Sequence, residues 1–320
     1  MRSFLLVALC AALCYASSEN NQPDIETLMD KVLVLRVPYG RSSRVFVNLS
    51  CGEAHQNQPV FWKKDGEELK PALQGNNVKV LVVEMNGGNY TCHQSPGGEY
   101  LNHTVIMVRL KPDNRNVILK EQSPKEGYIH CSASNYNGSF HCSWTRKAER
   151  PNAAVLLVNA ERHPENISCE LDADGSGVLC RDLNCPHYEE MHSISLTVYL
   201  YSYSRLEAYT KTFYLRDIVR PAKLHNLHLS DENVFSWSSP ETWEKPCTYF
   251  RLQFEVKVVP RGLDCTSEEH IRNNTTELTQ YEVDVKTRRY VFCVRAQDKF
   301  TGGLFSHWSS CKVNKDSVEC

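Results

Sequence analysis

The stretch CSASNYNGSFHCSW, Cys131 to Trp144, sets two cysteines eleven positions apart, with a tryptophan two places after the second. Thiols at this spacing can hold a metal, exchange electrons as a redox pair, or close a short loop as a disulfide. Cys180, Cys185, His187 and His192 are of zinc-ligand type, but their spacing is irregular and extracellular thiols oxidise first. DADGSG, Asp172 to Gly177, has the oxygen ligands that open a calcium loop. Its twelfth position is Leu183, where that loop needs a bidentate Glu, and a hairpin tip between Cys169 and Cys180 is the simpler reading. The chain has no HExxH, GxSxG, glycine-rich phosphate loop or CxxC. No nucleophile, base or metal set emerges, so the sequence assigns no catalytic residue, cofactor or metal, and an enzyme is the reading least supported.

The chemistry of the cysteines depends on the compartment. Arg2 is followed by the apolar run FLLVALCAALCYA, which ends in small residues near Ala16. This is the layout of a signal peptide over 1–16, too short for a membrane span of ~20 residues. The expectation is a secreted, extracellular chain without membrane insertion. Removal of Cys10 and Cys14 would leave twelve of fourteen cysteines in an oxidising compartment, where disulfides are the default. Sequons at Asn48, Asn89, Asn102, Asn137, Asn166, Asn273 and Asn274 predict a glycoprotein. The net charge of −2 gives no reason to expect nucleic acid as a partner.

The elements that must position these residues are strands. FRLQFEVKVV places Phe250, Leu252, Phe254, Val256 and Val258 on one face, and Arg251, Gln253, Glu255 and Lys257 on the other. VFVNLSC, VKVLVV, SLTVYLYSY and YVFCVRAQ behave alike, and no long stretch has helical spacing. The expected fold is all-β, with about 300 mature residues divided among sandwiches of roughly 100. Residues 17–111 read as immunoglobulin-like: Cys51, Trp62 and Cys92 have the order of a tryptophan packed on an inter-sheet disulfide, and Tyr90 holds the tyrosine-corner position. Residues 112–220 form a second domain, closed by LRDIVRPAK, where Pro221 stiffens the junction. Residues 221–320 form a third. Two sandwiches meeting at such an elbow present loops from both to one ligand.

Beyond Cys51–Cys92, spacing suggests Cys131–Cys142 and Cys169–Cys180. Cys185 is left over in the second domain, and Cys247, Cys265, Cys293, Cys311 and Cys320 lie in the third without an assignable pairing. Cys185 either bridges to another chain or pairs with one of those five. Tyr136 and Tyr249, read from the residues alone, cap sandwich cores.

Together these motifs resemble the class I cytokine receptor family, type 3 subfamily, over nearly the whole chain. Cys131, Cys142 and Trp144 resemble its Cys-x-Cys-Trp signature. Phe305, Ser306, Trp308 and Ser309, within FSHWSS, resemble the Trp-Ser-x-Trp-Ser box, with Phe305 in place of the first tryptophan. ILKEQ, NYNG, LRDIVRP, PETW and VRAQD, with the lack of a span, are similar to its secreted receptor-like members. The resemblance implies one immunoglobulin-like and two fibronectin type III sandwiches. It implies no enzyme but a binding chain, the beta subunit of a heterodimeric cytokine that also engages a cell-surface cytokine receptor. The partner would be a four-helix alpha subunit in the elbow, touched by Tyr136, Tyr249, Asp298 and Phe300 and bridged by Cys185. Phe300 stands where the family has a tyrosine, and Asp298 would receive a cation from the partner. Arg295 would stack on Trp308 of the box. The alternatives are a soluble receptor alpha chain or decoy that binds a cytokine reversibly, a homodimer, and an adhesion protein of the same sandwiches.

Overall fold

The structure is a computed structural model that describes residues 24–38, 44–111, 115–183, 190–230, 233–243, 250–315 and 317–320. It divides into two compact units, Met1–Pro112 and Asp113–Cys320.

The first unit contains β1 (Asp24–Met29), β2 (Val32–Pro38), β3 (Arg44–Ser50), β4 (Phe61–Lys64), β5 (Glu67–Glu68), β6 (Asn77–Val83), β7 (Gly88–His93) and β8 (Tyr100–Lys111). One sheet runs β5–β4–β7–β8 and continues through β2, parallel to β8, to β1. Antiparallel β3 and β6 supply the other layer. Period-two alternation turns Val47, Leu49, Val80 and Val82 onto Leu35, Trp62, Tyr90, Ile106 and Val108 in one buried core. The Cys51–Cys92 disulfide crosses the layers, and Trp62 beside it donates its Nε1 hydrogen to the Gly75 carbonyl at 2.9 Å.

The second unit contains β9 (Ile129–Ser132), β10 (Ser139–Trp144), β11 (Ala154–Arg162), β12 (Glu165–Asn166), β13 (Ser168–Leu171), β14 (Gly177–Arg181), β15 (Ile194–Ser202), β16 (Arg205–Phe213) and the helical turn α1 (Leu215–Ile218). These are followed by β17 (His225–Leu229), β18 (Val234–Ser238), β19 (Leu252–Pro260), β20 (Arg272–Thr276), β21 (Gln280–Glu282), β22 (Tyr290–Asp298), β23 (Ser309–Val313) and β24 (Val318–Glu319). The first group makes sheets β13–β14–β10–β9 and β12–β11–β15–β16; the second makes β17–β18–β21 and β20–β19–β22–β23–β24. Buried side chains of both groups join in one continuous core, from Phe140, Trp144 and Leu196 to Phe235, Phe254 and Phe292. The protein is thus all-β, an immunoglobulin-like sandwich and fibronectin type III-like sheets, with α1 its one α-helical turn among the described residues.

Cys131 and Cys142 are direct register partners on β9 and β10 and are bonded; so are Cys169 and Cys180 on β13 and β14. Cys265–Cys293 and Cys311–Cys320 are also bonded. The first of these corrects the expected exposure of Lys257. Cys265 holds the segment after β19 over the face that alternation assigns to solvent, leaving Lys257 only 8% exposed. Its ammonium donates to the carbonyls of Cys265 and Ser267, which offset the burial of the charge.

Among the described residues no helix is long and apolar enough to cross a membrane.

Candidate functional site

The elbow is built from hydrogen-bonded pieces rather than from proline stiffness alone. After α1, the backbone runs beside the end of β9: Ala133 N–H donates to Ile218 O, and Arg220 N–H to Ala133 O. A four-residue helix has few bonds of its own, so its first amides need outside acceptors. Glu190 supplies them, accepting from Leu215 N at 2.7 Å and Arg216 N at 3.0 Å. Its charge is matched by Arg162, whose Nη2 lies 2.9 Å away while its Nε reaches Asp182 at 2.8 Å. All three side chains are buried. One guanidinium therefore ties Asp182, Glu190 and the start of α1 into a single cluster.

On this frame, the loop between the bonded cysteines Cys131 and Cys142 carries Asn135 and Tyr136 to the later sheets. Asn135 Nδ2 donates to the Thr242 carbonyl. Tyr136, 2% exposed, packs its ring on Trp243 and Phe250, with centroids 5.8 and 4.3 Å away. Trp243 in turn donates Nε1–H to the Phe250 carbonyl at 2.9 Å. The Tyr136 hydroxyl donates to Asp298 Oδ2 at 2.7 Å. Burial, with the adjacent carboxylate, pushes the Tyr136 phenol well above its ordinary range, so it remains a donor.

Asp298 ends β22 and is itself 2% exposed. Oδ1 accepts from Phe300 N at 2.7 Å and Thr301 N at 3.3 Å; Oδ2 accepts from Tyr136 and from Thr301 Oγ1 at 2.9 Å. Four donors fill the four acceptor positions of a carboxylate, and all four are neutral. The negative charge is thus held in place without being cancelled by those donors. The same bonds shape the turn that presents Phe300. Its ring, 64% exposed, lies 5.7 Å from that of Phe250. A pocket of about 540 Å³ opens there, bordered by Phe250, Arg251, Lys299 and Phe300.

The structure thus brings Tyr136, Asp298 and Phe300 together. Tyr249 and Cys185, with Cys247 and His187, lie outside the described residues. Cys180, considered as a zinc ligand, is in a disulfide; Asp172 pairs with His141 at 2.9 Å, and Asp174 accepts from Ser176 within its own turn. In the FSHWSS stretch, Arg295 stacks on two rings, its Cζ 3.9 Å from Phe305 and 4.3 Å from Trp308, while its Nη2 meets Glu255 at 2.6 Å. Ser306 Oγ accepts from Ala296 N at 2.9 Å and Ser309 Oγ donates to Leu224 O at 3.1 Å, so both serines stitch backbone. Asn48, Asn89, Asn137, Asn166, Asn273 and Asn274 are exposed. Asn102 is half-buried and spends its amide on the Cys51 carbonyl at 3.0 Å.

Sequence reasoning did not single out Asn135, Phe250, Glu190 or Thr301 for the elbow. The only signals were the polar interval between Cys131 and Cys142 and the acidic residue upstream of LRDIVRP, neither of which names a partner.

Comparison with known proteins adds an independent line. Residues 126–202 match the family model described as cytokine interleukin-12p40 C-terminus. The interleukin-12 subunit beta of Papio anubis is 29% identical over 290 residues, covering 82% of this chain and 85% of that one. That of Felis catus is 29% identical over 296 residues, with the same shares. The Ovis aries subunit is 26% identical over 289 residues.

Proposed function

This chain is related to the interleukin-12 beta subunits, and from that premise we propose that it is the secreted, receptor-like subunit of a heterodimeric cytokine. Its elbow binds a four-helix alpha subunit, and its immunoglobulin-like unit is available to a cell-surface cytokine receptor. The observation that carries the reading is the Tyr136–Asp298 pair, buried beneath the exposed ring of Phe300. An exposed aromatic fixed from below loses little freedom on binding, and aromatic anchors at a desolvated centre dominate interface energies. Asp298 has no free acceptor position, so it acts by holding Phe300 and by the attraction its charge exerts on a basic partner residue. Cys185 is the proposed covalent bridge.

Co-expression with candidate four-helix subunits tests this. Phe300→Ala should lower affinity by ~2 kcal/mol or more, and Cys185→Ser should abolish the linked species on a non-reducing gel while secretion continues. Unchanged affinity for Phe300→Ala would remove the elbow from the interface, and persistence of the linked species would remove Cys185.

A further inference from the structure

The outward face of the β3–β6 pair has a feature that the elbow does not explain. Arg44, Phe46, Asn48 and Ser50 point outward from β3, opposite Val83, Leu81, Lys79 and Asn77 of β6. Phe46 and Leu81 are direct register partners and stay 53% and 43% exposed. Two large apolar side chains facing each other on a sheet surface form a platform that water covers poorly. Asn48 stands two residues after Phe46 on the same strand and face, about 7 Å along it, within the sequon Asn48-Leu49-Ser50.

We infer that Asn48 is an N-glycosylation site whose first sugar lies on the Phe46–Leu81 platform. An N-acetylglucosamine has an apolar face of C–H bonds that suits an aromatic ring, and its polar rim stays in water. Reach is demonstrated by Lys79. It is paired in register with Asn48, and its ammonium lies 4.8 Å from the centre of the Phe46 ring. A substituent carried by Asn48, on the same rung, spans the same gap. An exposed cation–π contact is weak enough for a sugar to displace or share.

The chemistry is a substitution at the anomeric carbon of a lipid-diphosphate-linked oligosaccharide. The Asn48 Nδ2–C bond forms, the C–O bond to the diphosphate breaks, and one amide proton leaves. Asn102 is the contrast. It too follows an aromatic residue, Tyr100, by two positions, but its amide nitrogen is committed to the Cys51 carbonyl in the folded domain. The inference requires only passage through a glycosylating compartment, which sugar at the other sequons would report independently.

The test uses the full chain expressed in glycosylating cells. Glycopeptide mass analysis should find Asn48 occupied. Sugar occupancy at other sequons with Asn48 bare overturns the inference, whereas no sugar at any sequon overturns the compartment it requires. Trimming to one sugar, followed by proton NMR, should show the acetyl methyl at Asn48 shifted upfield by the Phe46 ring, and Phe46→Thr should abolish that shift. The thermal midpoint of the single-sugar chain should exceed that of Asn48→Gln by ~2–5 °C. In a Phe46→Thr background the same comparison should give less than about 1 °C. Equal differences in both backgrounds, or an unshifted methyl, overturn the contact.

Discussion

The Tyr136–Asp298 pair admits a double-mutant cycle whose magnitudes follow from its geometry. Asp298→Ala removes all four acceptor positions at once. Phe300 N–H lies in an exposed turn and recovers water, so its loss costs little. The buried Tyr136 hydroxyl cannot readily recover water, and it keeps Thr301 Oγ1 at 3.3 Å. A hydrogen bond to a charged group contributes about 1.5–3 kcal/mol, and a buried orphan about 1–3 kcal/mol. With Thr301 taking part of the load, Asp298→Ala should cost ~2–3 kcal/mol. Tyr136→Phe leaves Asp298 with three donors and creates no orphan donor, for ~1.5 kcal/mol.

Because both changes break the same bond, the double variant should resemble Asp298→Ala alone. The coupling should be ~1–2 kcal/mol less than additive. Denaturant unfolding of the full chain, followed by tryptophan fluorescence, measures this at the site, since Trp243 packs edge-on to Tyr136. Phe300→Ala serves as the surface control and should leave stability within ~0.5 kcal/mol of wild type. Additivity within ~0.5 kcal/mol would refute the pairing and with it the view that Asp298 acts from beneath Phe300.

Glu190→Ala should destabilise by ~2–4 kcal/mol, because two α1 amides and Arg162 Nη2 lose their acceptor while Asp182 still holds Arg162 Nε. Glu190→Gln should fall between, and hydrogen exchange at Leu215 and Arg216 should quicken in both; unchanged exchange would dissociate Glu190 from the elbow. Arg295→Met should cost ~1–2 kcal/mol by removing two ring contacts and alter Trp308 emission, which calorimetry and fluorescence would check. Tyr90 is pushed up to about 12 by burial first and by Asp65 second, against 10.0 when unfolded. Its contribution is therefore intact below pH 10 and is lost as pH rises through about 12. Alkaline titration should show that loss, and Tyr90→Phe should flatten it.

What could be read from the sequence was periodic or local. The period of two in VFVNLSC and FRLQFEVKVV identifies strands because a half-buried sheet imposes it on every residue. Cys131 and Cys142 could be paired because a short hairpin brings them into register. Lys257 escaped the same logic: alternation specifies a face, but not whether a distant loop lies over it. The Cys265–Cys293 bridge that holds such a loop there joins residues whose spacing matched no familiar pattern.

The elbow is the stronger case. Tyr136 and Asp298 are separated by 162 positions, and nothing local to either names the other. The resemblance implies partner contacts at both; in the chain itself each is buried, Tyr136 donates to Asp298, and Phe300 is the accessible group of the three. Under the proposed function, this changes how the site would recognise a partner. A carboxylate with a vacant acceptor would choose a partner by a direct ion pair and would lose it with one substitution. A carboxylate whose acceptor positions are full contributes charge at a distance and rigidity at the surface, so selection of the proposed partner would fall to the shape around Phe300, Phe250, Arg251 and Lys299. The frame beneath must then be stiff, and it is built so: Glu190 fixes the start of α1, Ala133 binds the chain after it, and Asn135 and Tyr136 join the loop from β9 to the later sheets. Under the proposed function, specificity at this elbow would be a property of how the later sheets are locked to the earlier ones, and substitutions at Glu190 should alter partner affinity without touching the partner.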